Sequence, residues 1–88
     1  MPEILRFCGL RFFFYSREHE PIHVHVKGAD GKARFEILPV GVLLVENNGL
    51  SPKDIRCAEM VLEENKDLAI AKWHQYFGPS LNDNDDDK

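Results

Sequence analysis

A chain of 88 residues has the length of one small domain, and its 43% hydrophobic content excludes the composition typical of a disordered protein. No apolar run has the length of about 20 residues that spans a bilayer, and no secretory signal pattern is visible, so we expect a cytoplasmic protein with no membrane partner. The net charge of −4 argues against non-specific nucleic-acid binding, but residues 1–38 hold six basic against five acidic residues and allow a local basic site.

The N-terminal half predicts an antiparallel β-meander, because short apolar or alternating runs are separated by turn residues. Gly9 marks a tight hairpin, a polar loop covers residues 17–21, and a turn covers residues 28–31. The last apolar run is short enough to be a buried strand. The predicted strands are residues 4–8, 10–16, 22–27, 32–38 and 42–46.

Helical spacing begins after Asn47-Asn48-Gly49. Ser51 is in position to cap the N-terminus of a helix whose first residue is Pro52, and Gly78-Pro79 predicts the end of the helical segment. One unbroken helix over 52–77 keeps the apolar residues in phase, but it would be about 39 Å long and would overhang a small sheet. Two alternatives therefore stay open: one long helix, or two helices with a break near residues 64–66.

These elements predict one α+β domain over residues 1–78, a four- to five-stranded antiparallel sheet with the C-terminal helical segment packed on one face. The acidic tail, residues 79–88, is expected to be disordered. Cys8 and Cys57 are too few and too far apart for a disulfide framework or a zinc ribbon. We therefore expect two reduced cysteines that act as small buried hydrophobic residues.

The run from Ile22 to Val26 is the most informative stretch for function. Its alternation of β-branched residues with histidine predicts a half-buried strand, with His23 and His25 on one face about 7 Å apart. A four-residue loop at 28–31 would fix the register with the next strand. The pairs expected on the histidine face are Lys27 with Lys32, His25 with Arg34, and His23 with Glu36.

Three hypotheses fit this face. In the first, His23 and His25 bind a divalent metal such as zinc or manganese, with a third ligand from His19, Glu20 or Glu36, although Arg34 beside them opposes a dication. In the second, Lys27, Lys32 and Arg34 contact phosphates, and the histidines serve as donors or as an acid–base pair that cleaves RNA. In the third, this is the solvated face of a small sheet without a ligand.

Residues 11–15, Arg-Phe-Phe-Phe-Tyr, are apolar on both faces of a strand. The second face is covered by the C-terminal aromatic residues or by loops, or else Phe13, Tyr15 and Trp73 form an exposed interface for a second copy or a small partner protein. A stacking platform for single-stranded nucleic acid, with basic neighbours, is a further alternative. Those basic neighbours are Arg6, Arg11 and Arg17.

Several motifs agree in order and spacing with one known family. They are Arg6-Phe7, Gly9, the run 11–16, Pro21-x-His23-Val24-His25-Val26, the strand 32–35, Leu50-Ser51-Pro52-Lys53 and the run 73–77. On these residues the chain resembles the small bacterial domain of unknown function 4160 family over residues 1–78. The matching family-pattern residues are Phe13, Tyr15, Ser16, Pro21, His23, His25 and Trp73, while Ile22 stands where a small or polar residue is more usual.

The resemblance implies no established activity. It implies a short prokaryotic protein encoded beside another small domain of unknown function, an arrangement similar to toxin–antitoxin operons. We therefore expect a cytoplasmic binding module that acts through protein–protein contacts and through anion or RNA contacts. The alternative is a small nuclease or metal-dependent hydrolase centred on His23 and His25. No cofactor is firmly implied, and no catalytic triad or glycine-rich phosphate loop is visible.

Overall fold

The computed structural model describes residues 3–14 and 21–77. The strands form one antiparallel five-stranded sheet in chain order, and two helices follow, so the predicted α+β meander is confirmed. The tail 79–88 and most of the loop 17–21 lie outside the described residues. The elements are β1 Glu3–Phe7, β2 Leu10–Phe13, β3 His23–Lys27, β4 Lys32–Leu38, β5 Gly41–Asn48, α1 Pro52–Glu64 and α2 Lys66–Phe77.

Strand β5 is longer than its apolar run predicts. Asn47 and Asn48, expected to break the strand, pair instead with Ala33 and Lys32 of β4. The chain leaves the sheet here because the Asn47 side chain makes two hydrogen bonds with the backbone of Leu50. Its amide oxygen accepts from the Leu50 N–H at 3.0 Å, and its amide nitrogen donates to the Leu50 carbonyl at 3.0 Å. The strand therefore ends two residues later than expected, at a turn stabilised by an asparagine amide.

Both helices cover the same face of the sheet, with α1 packed on β5 and α2 on β1. Alternate strand residues point into this layer, and Phe12, Val24 and Phe35 are fully buried there. The helices contribute Leu62 and Trp73, which are 0% and 2% exposed. The predicted assignment of the valines of β3 to the core is therefore correct.

The helical segment is two helices that meet at Asn65. Ser51 caps α1 by accepting a hydrogen bond from the Asp54 backbone N–H at 3.1 Å, as predicted. At the other end, the N–H and the side-chain amide of Asn65 both donate to the Val61 carbonyl, at 3.0 and 2.8 Å. An asparagine that satisfies an end carbonyl in this way favours a break over a continuous rod.

The expectation of two reduced cysteines is wrong in this structure, because Cys8 and Cys57 form a disulfide with their Cα atoms 6.8 Å apart. The reason is topological. The β1–β2 turn and the start of α1 lie at the same end of the sheet, where a side chain on Gly28 would meet both Leu10 and Leu50. Separately, none of the helices in the described ranges is long and apolar enough to cross a membrane.

Candidate functional site

The sheet face opposite the helices, which we call the open face, carries the residues that the sequence singled out. The register between β3 and β4 pairs His23 with Glu36, His25 with Arg34, and Lys27 with Lys32. This is the predicted register, because the four-residue connection 28–31 closes with a hydrogen bond from the Gly28 N–H to the Gly31 carbonyl at 2.9 Å. Both histidines are half-buried, and both lysines are exposed.

Four cations form one line across this face. Arg6 of β1 lies opposite Arg11 of β2, Arg11 lies opposite Lys27, and Lys27 lies opposite Lys32. We call these four residues the cationic row. Three inter-strand steps of about 4.8 Å give the row a length of about 14 Å, perpendicular to the strands. On β5 the same line continues with the uncharged Asn48.

One carboxylate partly neutralises the first half of the cationic row. Glu3 accepts a hydrogen bond from the Nε of Arg6 at 2.8 Å and lies 3.6 Å from the Nε of Arg11. The hydrogen bond from Arg6, followed by the charges of both guanidinium groups, holds the pKa of Glu3 below its usual value, and the same contact raises the pKa of Arg6.

The second half of the row, Lys27 and Lys32, differs from the first. Within the part of the chain that the structure describes, no carboxylate pairs with Lys27 or Lys32. Like charges directly opposite one another on a sheet are destabilising. An anion bound between the two lysines would relieve that repulsion.

The next line of residues combines aromatic and charged groups. Phe13 stacks on His25 with ring centroids 5.8 Å apart, and the guanidinium carbon of Arg11 lies 5.6 Å from the centre of the Phe13 ring. Further along, Arg34 lies 3.7 Å from a carboxylate oxygen of Glu46. A shallow pocket of about 200 Å³ opens here, lined by His25, Lys32, Ala33, Arg34, Glu46 and Asn48.

His23 is held in a defined orientation at the end of the open face. Its Nδ1–H donates to the carbonyl of Pro21 at 2.7 Å, since a carbonyl can only accept. In the neutral ring this leaves Nε2 as the acceptor. The His23 ring lies 5.6 Å from the His25 ring and 5.7 Å from the indole of Trp73, measured between centroids.

The described residues contain no group of three or more histidine, cysteine or acidic side chains that could hold a metal ion. Glu36 lies opposite His23 in the register but does not complete such a group. The other two suggested ligands, His19 and Glu20, lie outside the described residues. Zinc or manganese binding at the histidine pair stays a prediction.

The exposed aromatic patch expected at Phe13 and Trp73 is not present, because these residues are 4% and 2% exposed. Trp73 packs edge-on against Phe14 at 5.2 Å and lies 4.4 Å from Phe77, so the aromatic residues of α2 pack on Phe14, while Phe13 stacks on His25. Tyr15 lies outside the described residues. Binding of a second copy or a small partner protein stays a prediction.

The sequence pattern predicts Arg6 and Arg11 as basic neighbours of an aromatic stacking surface, and it does not predict them as phosphate ligands beside Lys27 and Lys32. The structure places both in line with Lys27 and Lys32. The available signal was the spacing around the hairpin. Arg6 and Arg11 are symmetric about the two-residue turn at Cys8-Gly9, and a two-residue hairpin loop pairs such positions directly.

The fold and this face define a small α+β domain with one helix-covered and one polar sheet surface. The family model described as a domain of unknown function (DUF4160) matches residues 9–74, which is more than half of the 88-residue chain. The chain belongs to this family, as its motifs predicted. None of the curated proteins and none of the solved structures matches it.

Proposed function

We propose that this protein is a small binding module whose open face binds the phosphate backbone of single-stranded RNA. The cationic row carries the proposal. Folding places four cations side by side, and two of them, Lys27 and Lys32, face each other without an acidic partner in the described residues. A row about 14 Å long matches a ligand with charges repeated along a chain better than one small anion.

The surroundings of the row favour backbone contacts over base recognition. Base-stacking proteins present exposed aromatic rings, but Phe13, whose ring lies 5.6 Å from the Arg11 guanidinium on the open face, is 4% exposed. The pocket beside Lys32, with His25 and Arg34 in its lining, has room for one further phosphate or for part of a sugar. We therefore expect binding that tolerates different sequences and weakens strongly with salt.

The family to which the chain belongs suggests a second part of the proposal, which concerns its compartment and its protein partner. We propose a cytoplasmic component of a toxin–antitoxin-like pair, with a second copy or a small protein as its partner. The structure offers exposed apolar side chains for such a contact, several of them on or beside β5. They are Phe7, Val40, Leu43, Val45, Met60, Leu68 and Tyr76.

The experiment that tests RNA binding compares two double variants with the same net charge. Lys27→Gln/Lys32→Gln removes the two lysines of the row, whereas Lys53→Gln/Arg56→Gln removes two exposed cations of α1 on the other side of the molecule. Fluorescence anisotropy with a labelled oligouridylate gives the Kd at several salt concentrations. Two lost phosphate contacts should lower the slope of log K against log salt by about 1.4, at about 0.7 per contact with a single strand.

The α1 variant should keep the slope of the native protein. Equal losses in both double variants would show that only the net charge matters, and the proposed site would be wrong. Parallel titrations with single-stranded DNA, duplex RNA and inorganic phosphate test whether the ligand is a flexible polyphosphate chain. Binding of inorganic phosphate as tight as that of the oligonucleotide would contradict the role of the row.

A second candidate function, metal-independent cleavage of RNA, has one specific observation in its favour. The Nδ1–H of His23 donates to the Pro21 carbonyl, so the acceptor nitrogen of the neutral ring is Nε2, and the His25 ring lies 5.6 Å from the His23 ring between centroids. Two neighbouring imidazoles can act as a base and an acid in the cleavage of RNA. RNA incubated in chelator should then be cleaved with a bell-shaped pH–rate profile, and His23→Ala should abolish cleavage while leaving oligouridylate binding intact. Intact RNA after prolonged incubation would refute the cleavage function and leave RNA binding as the proposed function.

A further inference from the structure

We infer that the Cys8–Cys57 disulfide is a redox-sensitive link that holds the β1–β2 turn, and that reduction of this bond releases Arg6 of the edge strand β1 from the cationic row. The effect on RNA depends on the proposed function, while the release of the turn does not. The bond joins the turn to α1 across a sequence separation of 49 residues. A change of redox state at this one bond therefore acts on the proposed binding face.

This turn lies next to the row. Cys8 and Gly9 form the turn, Phe7 pairs with Leu10 immediately beyond it, and Arg6 pairs with Arg11 at the next position. In a hairpin the turn fixes the register of both strands. Loosening the turn therefore changes the relative position of the two arginines before it affects the rest of the sheet.

Leu10, just beyond the turn, is 2% exposed and holds β2 in the core, but the two turn residues themselves have little other support within the described residues. Cys8 adopts φ 57 and Gly9 adopts φ 71, a left-handed pair that suits glycine but is unfavourable for a residue with a Cβ atom. Cys8 and Gly9 are exposed, and a Cβ added at Gly9 would meet nothing within 4 Å. The neighbouring Phe7 is 56% exposed, so its ring adds little packing.

The other end of the bond is firmly anchored. Cys57 is half-buried in α1 and precedes Ala58, which is fully buried. Val61 and Leu62, one turn further along the same helix, also lie in the core. The disulfide thus connects an exposed and unfavourable turn to a helix that is fixed by the core.

The chemistry of release is thiol–disulfide exchange with a cellular thiol such as glutathione or a dithiol protein. One thiolate attacks a sulfur of the bond and forms a mixed disulfide, and a second thiolate resolves it. The reductant loses two electrons and becomes a disulfide, while Cys8 and Cys57 each end as a thiol. Cytoplasmic disulfides are mostly transient, so a bond at an exposed turn suits regulation better than permanent cross-linking.

The test uses the full chain in three forms: oxidised, reduced with dithiothreitol, and Cys8→Ser/Cys57→Ser. Hydrogen exchange reports the turn, and the anisotropy of labelled oligouridylate reports binding. Reduction should open the amides between Arg6 and Arg11 to local exchange, while amides in β3 and β4 should speed up only by the factor that the change in global stability sets. It should also lower the salt slope by about 0.7, because this half of the row carries one net charge beside Glu3, and this amounts to about fivefold weaker binding over a tenfold range of salt.

The double serine variant should behave like the reduced protein and should not respond to dithiothreitol. Exchange rates that do not change on reduction, with both thiols shown to be free by their reaction with a thiol reagent, would overturn the redox-sensitive link. Faster exchange with unchanged affinity would overturn the connection between the turn and the site. Faster exchange in a protein that binds no oligonucleotide in any form would support the redox-sensitive link and refute the proposed function.

Discussion

Replacing Glu3 with glutamine should strengthen the binding of oligouridylate. Partial unfolding of a variant would weaken binding, so a gain in affinity cannot be mistaken for damage to the fold. Glu3 lies 2.8 Å from the Nε of Arg6 and 3.6 Å from that of Arg11, so one carboxylate offsets two of the four cations in the row. In Glu3→Gln these two arginines carry two net charges instead of one. If each added charge engages one phosphate, the slope of log K against log salt steepens by about 0.7.

A slope steeper by about 0.7 amounts to about fivefold in affinity over a tenfold range of salt. Anisotropy titrations with oligouridylate from about 50 to about 500 mM salt cover that range. The matched control is Glu59→Gln, which removes the same charge from an exposed position on α1. Equal gains in the two variants would show that Glu3 acts only through net charge, and weaker binding by Glu3→Gln would show that it positions the arginines for the ligand.

The pH dependence gives a second measurement of the same effect. Because Arg6 and Arg11 hold the pKa of Glu3 below its usual value, the carboxylate contributes to stability above the usual carboxyl range. That contribution is lost as the pH falls through the lowered pKa, where protonation also frees the two arginines. Oligouridylate, whose bases take up no proton in acid, should therefore bind native protein and Glu3→Gln with converging affinities as the pH falls.

Two further predictions concern the framework that holds the site. Reduction of the Cys8–Cys57 bond should lower the free energy of unfolding by about 4 kcal/mol, which is the loop-entropy value for a separation of 49 residues. Urea unfolding with and without dithiothreitol measures this difference. Equal unfolding midpoints would show that the disulfide does not stabilise the fold. Ser51→Ala removes the acceptor for the Asp54 N–H and should cost about 1 kcal/mol in the same assay, whereas Ser51→Asp should keep most of that stability.

The half of the site on β3 and β4 could be predicted because a short connection determines its geometry. Alternation assigns His23 and His25 to one face, and a four-residue loop allows few registers, so the opposite residues Arg34 and Glu36 follow from counting. Only local information is needed at each step. The burial of the valines between them follows from the same alternation.

The half of the site on β1 and β2 could not be predicted in the same way. The pairing of Arg11 with Lys27 depends on how β2 is aligned with β3, and the connection between these strands, residues 14–22, is too long for its length to determine the register. The bulge between Glu3 and Leu5 also shifts the register of β1 by one residue. It is this shift that places Glu3 on the open face beside the arginines, so the neutralising contact had no signal in the sequence pattern.

The disulfide, by contrast, follows from the strand order once the meander is accepted. Successive connections in an antiparallel meander alternate between the two ends of a sheet, so the β1–β2 turn, the β3–β4 turn and the end of β5 share one end. The helix α1 begins there, and Cys57 lies only about 8 Å along its axis from Pro52. An even number of strands would have placed α1 at the opposite end, away from Cys8. The expectation of reduced thiols considered the number of cysteines and their sequence separation but not the number of strands, and an odd number of strands is what brings the two cysteines together.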